Sequence, residues 1–297
     1  MPSGLAKTKT MTLINPLTQA PFPAHPMSEA GRITAEKNLA EARNHFQQNP
    51  NLENTIWLGR RLAYLYLFDE MFDVYAQGIA TFPHSYRLLR HRGHRYISTR
   101  QFSKAIEDFE KAAALVKDRP VEVEPDGNPN HLNQPTSNGH FNIWYHLGLA
   151  YYLSGDFVKA AEAYQACMAY SDNPDSICAT VDWHYMSLCR LGRKHEATQL
   201  LDLIDPEMPL IESHSYHYRL MMYKGVYTPE QLLNPTDNRP EDRLLTLATQ
   251  GYGVGTWYLY NGDLGQACRI YNQVLESGFW SAFGYIAAEV EWMNKKT

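Results

Sequence analysis

The chain lacks any apolar run approaching the roughly 20 residues that a bilayer-crossing helix requires, so insertion into a membrane is not expected. Cysteine is scarce: Cys167, Cys178, Cys189 and Cys268 are the only four, and none forms a CxxC pair. All four fall in stretches that read as helix, where an unpaired cysteine is a small apolar core residue, and nothing calls for an oxidising compartment. Excess positive charge is missing too. A formal charge of −5 and a pI near 6.2 exclude a general polyanion binder, so no nucleic-acid partner is expected. There is no GxSxG, P-loop, HExxH or paired-carboxylate motif, and the sequence therefore predicts no catalytic residue, no cofactor and no metal site. The triple Gly251, Gly253 and Gly255 sits in a helical pattern with no preceding strand, which points to close helix packing rather than a phosphate loop. The first 26 residues carry Lys7 and Lys9 but no apolar core of a signal peptide. Residues 1–27, with prolines at 16, 21, 23 and 26, read as an extended leader, and the expected compartment is the cytoplasm.

What is present is a globular mixture: 44% hydrophobic residues, with twenty tyrosines and six tryptophans. At 297 residues the chain exceeds the usual single-domain length, a limit that repeat proteins escape because each repeat packs only on its neighbours. A period is visible. Gly59 and Gly93 lie 34 residues apart, each inside a helical apolar pattern, and Gly148 has the same surroundings: Trp144, Leu147, Tyr151, then Gly155-Asp156-Phe157, Ala160 and Tyr164. Leu58, Leu62, Tyr75 and Pro83 fit the first repeat, and Tyr96, Ala105, Phe109 and Ala112 the second. Further hairpins follow from Cys178 to Pro206, around Ile211–Lys224, and through Gly255, Tyr258, Gly262, Ala267 and Tyr271.

This pattern resembles the tetratricopeptide repeat family, whose unit is about 34 residues long. The resemblance covers about four-fifths of the chain. It implies an all-α fold: an α-solenoid of about six antiparallel helix hairpins, preceded by a lone helix over Ile33–Gln48 and closed by a terminal capping helix over Ala282–Asn294. One domain over 28–297 is expected. Its period is broken by a proline- and asparagine-rich loop at 118–140, long enough to be a flap over the groove or a solvated insertion on its rim. A shorter irregular stretch, 234–240, joins two hairpins.

In this family the first helix of each hairpin lines the concave surface, where peptides or helices bind. Carried over position by position, that face contains Arg60 and Tyr64, then Arg87, Arg90 and His94, then Asn142, Tyr145 and Tyr152, then Asp182 and Arg190. From His84 to Arg100 there are five arginines and three histidines with no acid, in a chain that is acidic overall. Such a wall favours an anionic ligand, and arginine offers a planar fork for carboxylates. Arg92 and Arg95 stand on the packing side, where each needs an acidic or carbonyl partner if enclosed. The clamp with which some members hold a peptide's C-terminal carboxylate is not matched, because the first repeat lacks its asparagine and lysine.

The expectation is therefore a protein- or peptide-binding scaffold whose groove accepts an acidic segment. The alternative is an enzyme that uses the groove, roofed by the 118–140 loop, as a pocket for a small anionic substrate. Convergence of His94, Tyr145, Asp182 or His184 on one point would favour that alternative.

Overall fold

The computed structural model describes residues 13–22, 27–234 and 240–294, whose regular structure is helical, with two isolated β-bridges, Ile14–Pro21 and Val123–Asn138, in the loops. Residues 1–12 and 23–26 of the expected leader, and 235–239 of the second irregular stretch, lie outside the described residues. The chain divides into two compact units, Met1–Pro83 and His84–Thr297.

The first unit holds α1 (Glu29–Gln48), α2 (Leu52–Tyr64) and α3 (Phe68–Thr81). The second holds α4 (Tyr86–Ser98), α5 (Phe102–Val116), α6 (Gly139–Leu153), α7 (Phe157–Met168), α8 (Pro174–Arg190), α9 (Lys194–Leu200), α10 (His214–Tyr223), α11 (Pro229–Leu233), α12 (Pro240–Tyr260), α13 (Leu264–Glu276) and α14 (Phe283–Asn294). Consecutive helices pair as hairpins, giving the expected all-α repeat architecture with a single helix at either end of the described chain.

Local chemistry sets the starts. α1 begins four residues before the expected Ile33 because the Ser28 hydroxyl accepts from the Gly31 N–H. Asn51, Ser85 and Asn138 cap α2, α4 and α6 in the same way. Asn173 and Ser176 cap α8 reciprocally, with Pro174 at its first turn.

Close packing explains the glycine–aromatic register of the repeat. A Cβ on Gly148 of α6 would stand 2.8–2.9 Å from ring atoms of Tyr164 on α7, so the two helices can approach this closely only without it. The triple glycine of α12 obeys the same rule: a Cβ at 251, 253 or 255 would meet Val274, Arg219 or Tyr271 at 2.6 Å or less.

The turns between paired helices repeat one device. In each, a residue in the left-handed region lets the next N–H reach back five residues to a carbonyl, as Asp156 N–H does to Tyr151 and Gln101 N–H to Tyr96. Gly155, Gly192, Gly225 and Gly262 fill that position at φ 75–86°, whereas Tyr66 and Arg100 fill it at 59° and 60°.

In the second unit α6 is the axis of the core. All of its residues except Trp144 are buried, because α5 and α7 flank it on one side while α4, α8, α12 and α14 reach it from others.

Candidate functional site

The first helices of the second unit's hairpins face one another across a hollow, and side chains close it. The Tyr145 hydroxyl of α6 is 2.7 Å from that of Tyr216 on α10, and the Tyr152 hydroxyl is 2.8 Å from that of Tyr252 on α12, a hundred residues away. The Tyr260 hydroxyl donates to the Met186 carbonyl at 3.0 Å, joining α12 to α8. Trp183 stacks on Tyr252 with centroids 5.9 Å apart. What space is left is a cavity of about 220 Å³ lined by Trp183, Tyr216, Arg219, Tyr252 and Phe283, and a polar one of about 190 Å³ that includes Ser137, Asn142, Tyr145, Asp175 and Tyr216. A larger apolar groove, about 650 Å³, lies on the outer side between α5 and α7, floored by Trp144, Leu147 and Tyr151.

Arg90, Asp182 and Arg190 of the expected wall are paired within the chain. Arg90 reaches Glu124 of the 118–140 loop at 3.0 Å, and Asn142 donates to the same carboxylate at 3.1 Å. Asp182 has no exposed surface and receives Arg219 through two parallel bonds of 3.0 and 2.7 Å. A charge pair this deep survives because fork and carboxylate match, and Asp182 keeps the Arg219 guanidinium protonated. Arg190 pairs with Glu291 of α14. Arg87 stands half-buried on α4. Arg92, on the packing side, meets Asp108 through two bonds of 2.7 Å, which supplies the partner its position demands. Arg60 and Tyr64 belong to the first unit, where Arg60 is buried with its guanidinium 4.5 Å over Trp57 and Tyr64 lies beside Arg61.

His94 is held between aromatic neighbours: its ring centroid is 4.6 Å from His146 and 5.5 Å from Phe283. Burial drives its pKa well below the ordinary imidazole value and that of His146 down to about 3, so both are neutral at pH 7. His184 is lowered to about 4 by burial and feels Arg193 and Glu196. His94 and Tyr145 both touch His146, Asp182 belongs to Arg219 and His184 faces elsewhere, so the four residues named for a catalytic point form no nucleophile–base pair.

The 118–140 loop is neither free-standing nor a rim ornament. Glu122 accepts from the Tyr86 hydroxyl at the start of α4, the Thr136 carbonyl accepts from Asn173 ahead of α8, and Asn130 and Thr136 donate to Glu212 just before α10. The loop thus runs along the N-terminal ends of the first helices.

The opposite ends are held by α14 and the segment before it. Arg100, in the α4–α5 turn, donates through Nε to Glu289 at 2.7 Å and through one terminal nitrogen to the Trp280 carbonyl at 2.7 Å, while the other terminal nitrogen reaches Ser98. Its guanidinium also lies over Trp280 at 5.7 Å and Tyr285 at 6.0 Å. Arg100, Glu289, Glu291, Arg219 and Tyr216 were not among the expected site residues, whereas the carry-over of the concave face reaches Tyr252. For Arg100 a signal existed: aligned on their turns, four of the six hairpins have glycine where it stands.

Residues 141–174, the α6–α7 hairpin, match the family model for the tetratricopeptide repeat. That hairpin is a tetratricopeptide repeat. Among solved structures, the chain is similar to YrrB, described as a TPR protein with an unusual peptide-binding site, at 13% identity and a TM-score of 0.43, covering 80% of this chain and 91% of that one. No curated protein matches it. Among the described residues no helix is long and apolar enough to cross a membrane.

Proposed function

We propose that the chain is a protein-binding module of the tetratricopeptide repeat kind, and that the arginine-bearing hollow of its second unit takes an acidic helical segment of a protein partner. The observation that carries this reading is what the arginines hold now. Arg100 and Arg190, on two non-adjacent hairpins, each meet a carboxylate from one helix, Glu289 and Glu291 of α14. A wall that accommodates two carboxylates on an internal helix has the chemistry to receive them from another chain, and arginine with tyrosine is the composition of binding hot spots. The expected residues Arg87, Arg90 and His94 form the neighbouring wall, with Glu124 as the internal carboxylate on Arg90.

The test uses two synthetic helical peptides that differ only in glutamate against glutamine at two positions two residues apart. The glutamate peptide binds more tightly, and its advantage shrinks at high ionic strength as the charges are screened. Equal affinities at low salt would remove the acidic-segment reading and leave only the general one.

A further inference from the structure

Arg100 occupies the one position of its turn where an arginine is costly. Its φ of 60° lies in the left-handed region, which disfavours any residue with a Cβ by roughly 1–2 kcal/mol. The equivalent turns solve the same geometry with Gly155, Gly192, Gly225 and Gly262. Tyr66, the other exception, is half-buried and meets Phe68 edge-on, a local contact two residues away. Arg100 reaches across 180 and 189 residues, to Trp280 and Glu289, with its side chain fully enclosed. Strain retained at one turn of a repeat, where glycine would remove it, points to what the side chain does there.

Every long-range partner named for that side chain lies in the last stretch of the chain. Trp280 gives a carbonyl and a ring face, Tyr285 a second ring, and Glu289 the carboxylate. Two residues further along α14, Glu291 meets Arg190 and the Tyr252 hydroxyl, and at its start Phe283 packs on His94 and His146. α14 thus closes the hollow at three points: an aromatic contact to α4 and α6, and two ion pairs, one to the α4–α5 turn and one to the end of α8.

We propose that α14 is a latch held by Arg100, and that it occupies the place of a partner helix carrying the same pattern: an aromatic residue, then two carboxylates six and eight residues later. This rests on the acidic-helix reading above and adds its regulation. The occupant is a partner's helix rather than a second copy of this chain, because a second copy's α14 would have to leave its own Arg100 and Arg190 to make the same contacts, whereas a partner's helix gives up none. As an intramolecular ligand it acts at millimolar effective concentration, so an outside helix is admitted only when the latch is weakened.

The experiment compares the full wild-type chain with Arg100→Gly, which removes the fork while relieving the backbone, and with Arg100→Lys, which keeps the charge and the strain but loses the fork. Amide exchange is measured across the chain, and the probe is a labelled peptide of residues 283–294. In Arg100→Gly, exchange in α14 rises at least tenfold while the α6–α7 hairpin is unchanged; in a further variant, Glu289→Gln, which loosens α14 but leaves Arg100 for an incoming carboxylate, the probe binds at least tenfold more tightly than to wild type. In exchange, Arg100→Lys falls between wild type and Arg100→Gly. Unchanged α14 exchange in a folded Arg100→Gly chain, or in Arg100→Lys should the glycine variant not fold, overturns the latch while leaving the acidic-helix reading untouched. A latch that opens without preferring the probe over its Glu→Gln version overturns the reading itself. A concentration-dependent dimer of Glu289→Gln that excludes the probe overturns the choice of occupant and assigns the place to a second copy.

Discussion

The α6–α7 and α4–α5 turns have the same backbone and opposite purposes. Both send an N–H back five residues to a carbonyl, and both place one residue in the left-handed region. At Gly155 an added Cβ would meet nothing within 4 Å, so that position only reverses the chain. At Arg100 the same step also launches a buried guanidinium toward the far end of the sequence. The repeat supplies the geometry at no cost when glycine is used. An arginine there indicates that closing the hollow matters more than the lowest-energy turn.

The largest effect is expected at the partner of Arg100. Glu289→Ala leaves an arginine enclosed without its carboxylate and should lower stability by about 3–5 kcal/mol in chemical denaturation. Arg100→Gly should cost less, about 2 kcal/mol, because the turn relaxes and the carboxylate left behind can take a proton. Acid should loosen the same closure from its histidine side. His94 and His146 have folded pKa values below their unfolded ones, so the unfolded chain binds more protons once pH drops below about 6.5. Stability should therefore fall on acidification from pH 7 toward 4, by up to about 1.4 kcal/mol per pH unit for each histidine, and His146→Gln should flatten the slope of Tm against pH. At the other turn the substitution runs from glycine to a residue with a Cβ: Gly155→Ala should cost about 1 kcal/mol through backbone strain alone. Tyr66→Gly, which trades strain against a ring contact and chain entropy, should stay within about 0.5 kcal/mol of wild type.

The hairpins were legible in the sequence because their packing is local. The pairing of Gly148 with Tyr164 recurs in other hairpins, and the left-handed turn positions 66 and 100, then 155, 192, 225 and 262, follow one another every 33–37 residues outside the 118–140 insertion. The candidate site was legible only in type. Arginines, tyrosines and a histidine on first helices could be placed by register, but their partners could not, since Arg90 meets a loop carboxylate 34 residues on and Arg190 meets Glu291 across 101. Those pairings depend on how tightly successive hairpins rotate, which is the sum of many small side-chain volumes and leaves no local motif. Asp182 shows the consequence: expected on an exposed wall, it is enclosed because α10 packs against α8 and brings Arg219 onto it.

The most direct measurement is a double-mutant cycle on Arg100 and Glu289, with stability read for Arg100→Gly, Glu289→Gln and the pair. If α14 closes the hollow through this contact, the double variant should be less destabilised than the sum of the singles by about 2 kcal/mol, within the range for buried interacting neighbours. Additivity to within about 0.5 kcal/mol would mean the two side chains do not depend on each other, and the account of the closed hollow would be contradicted.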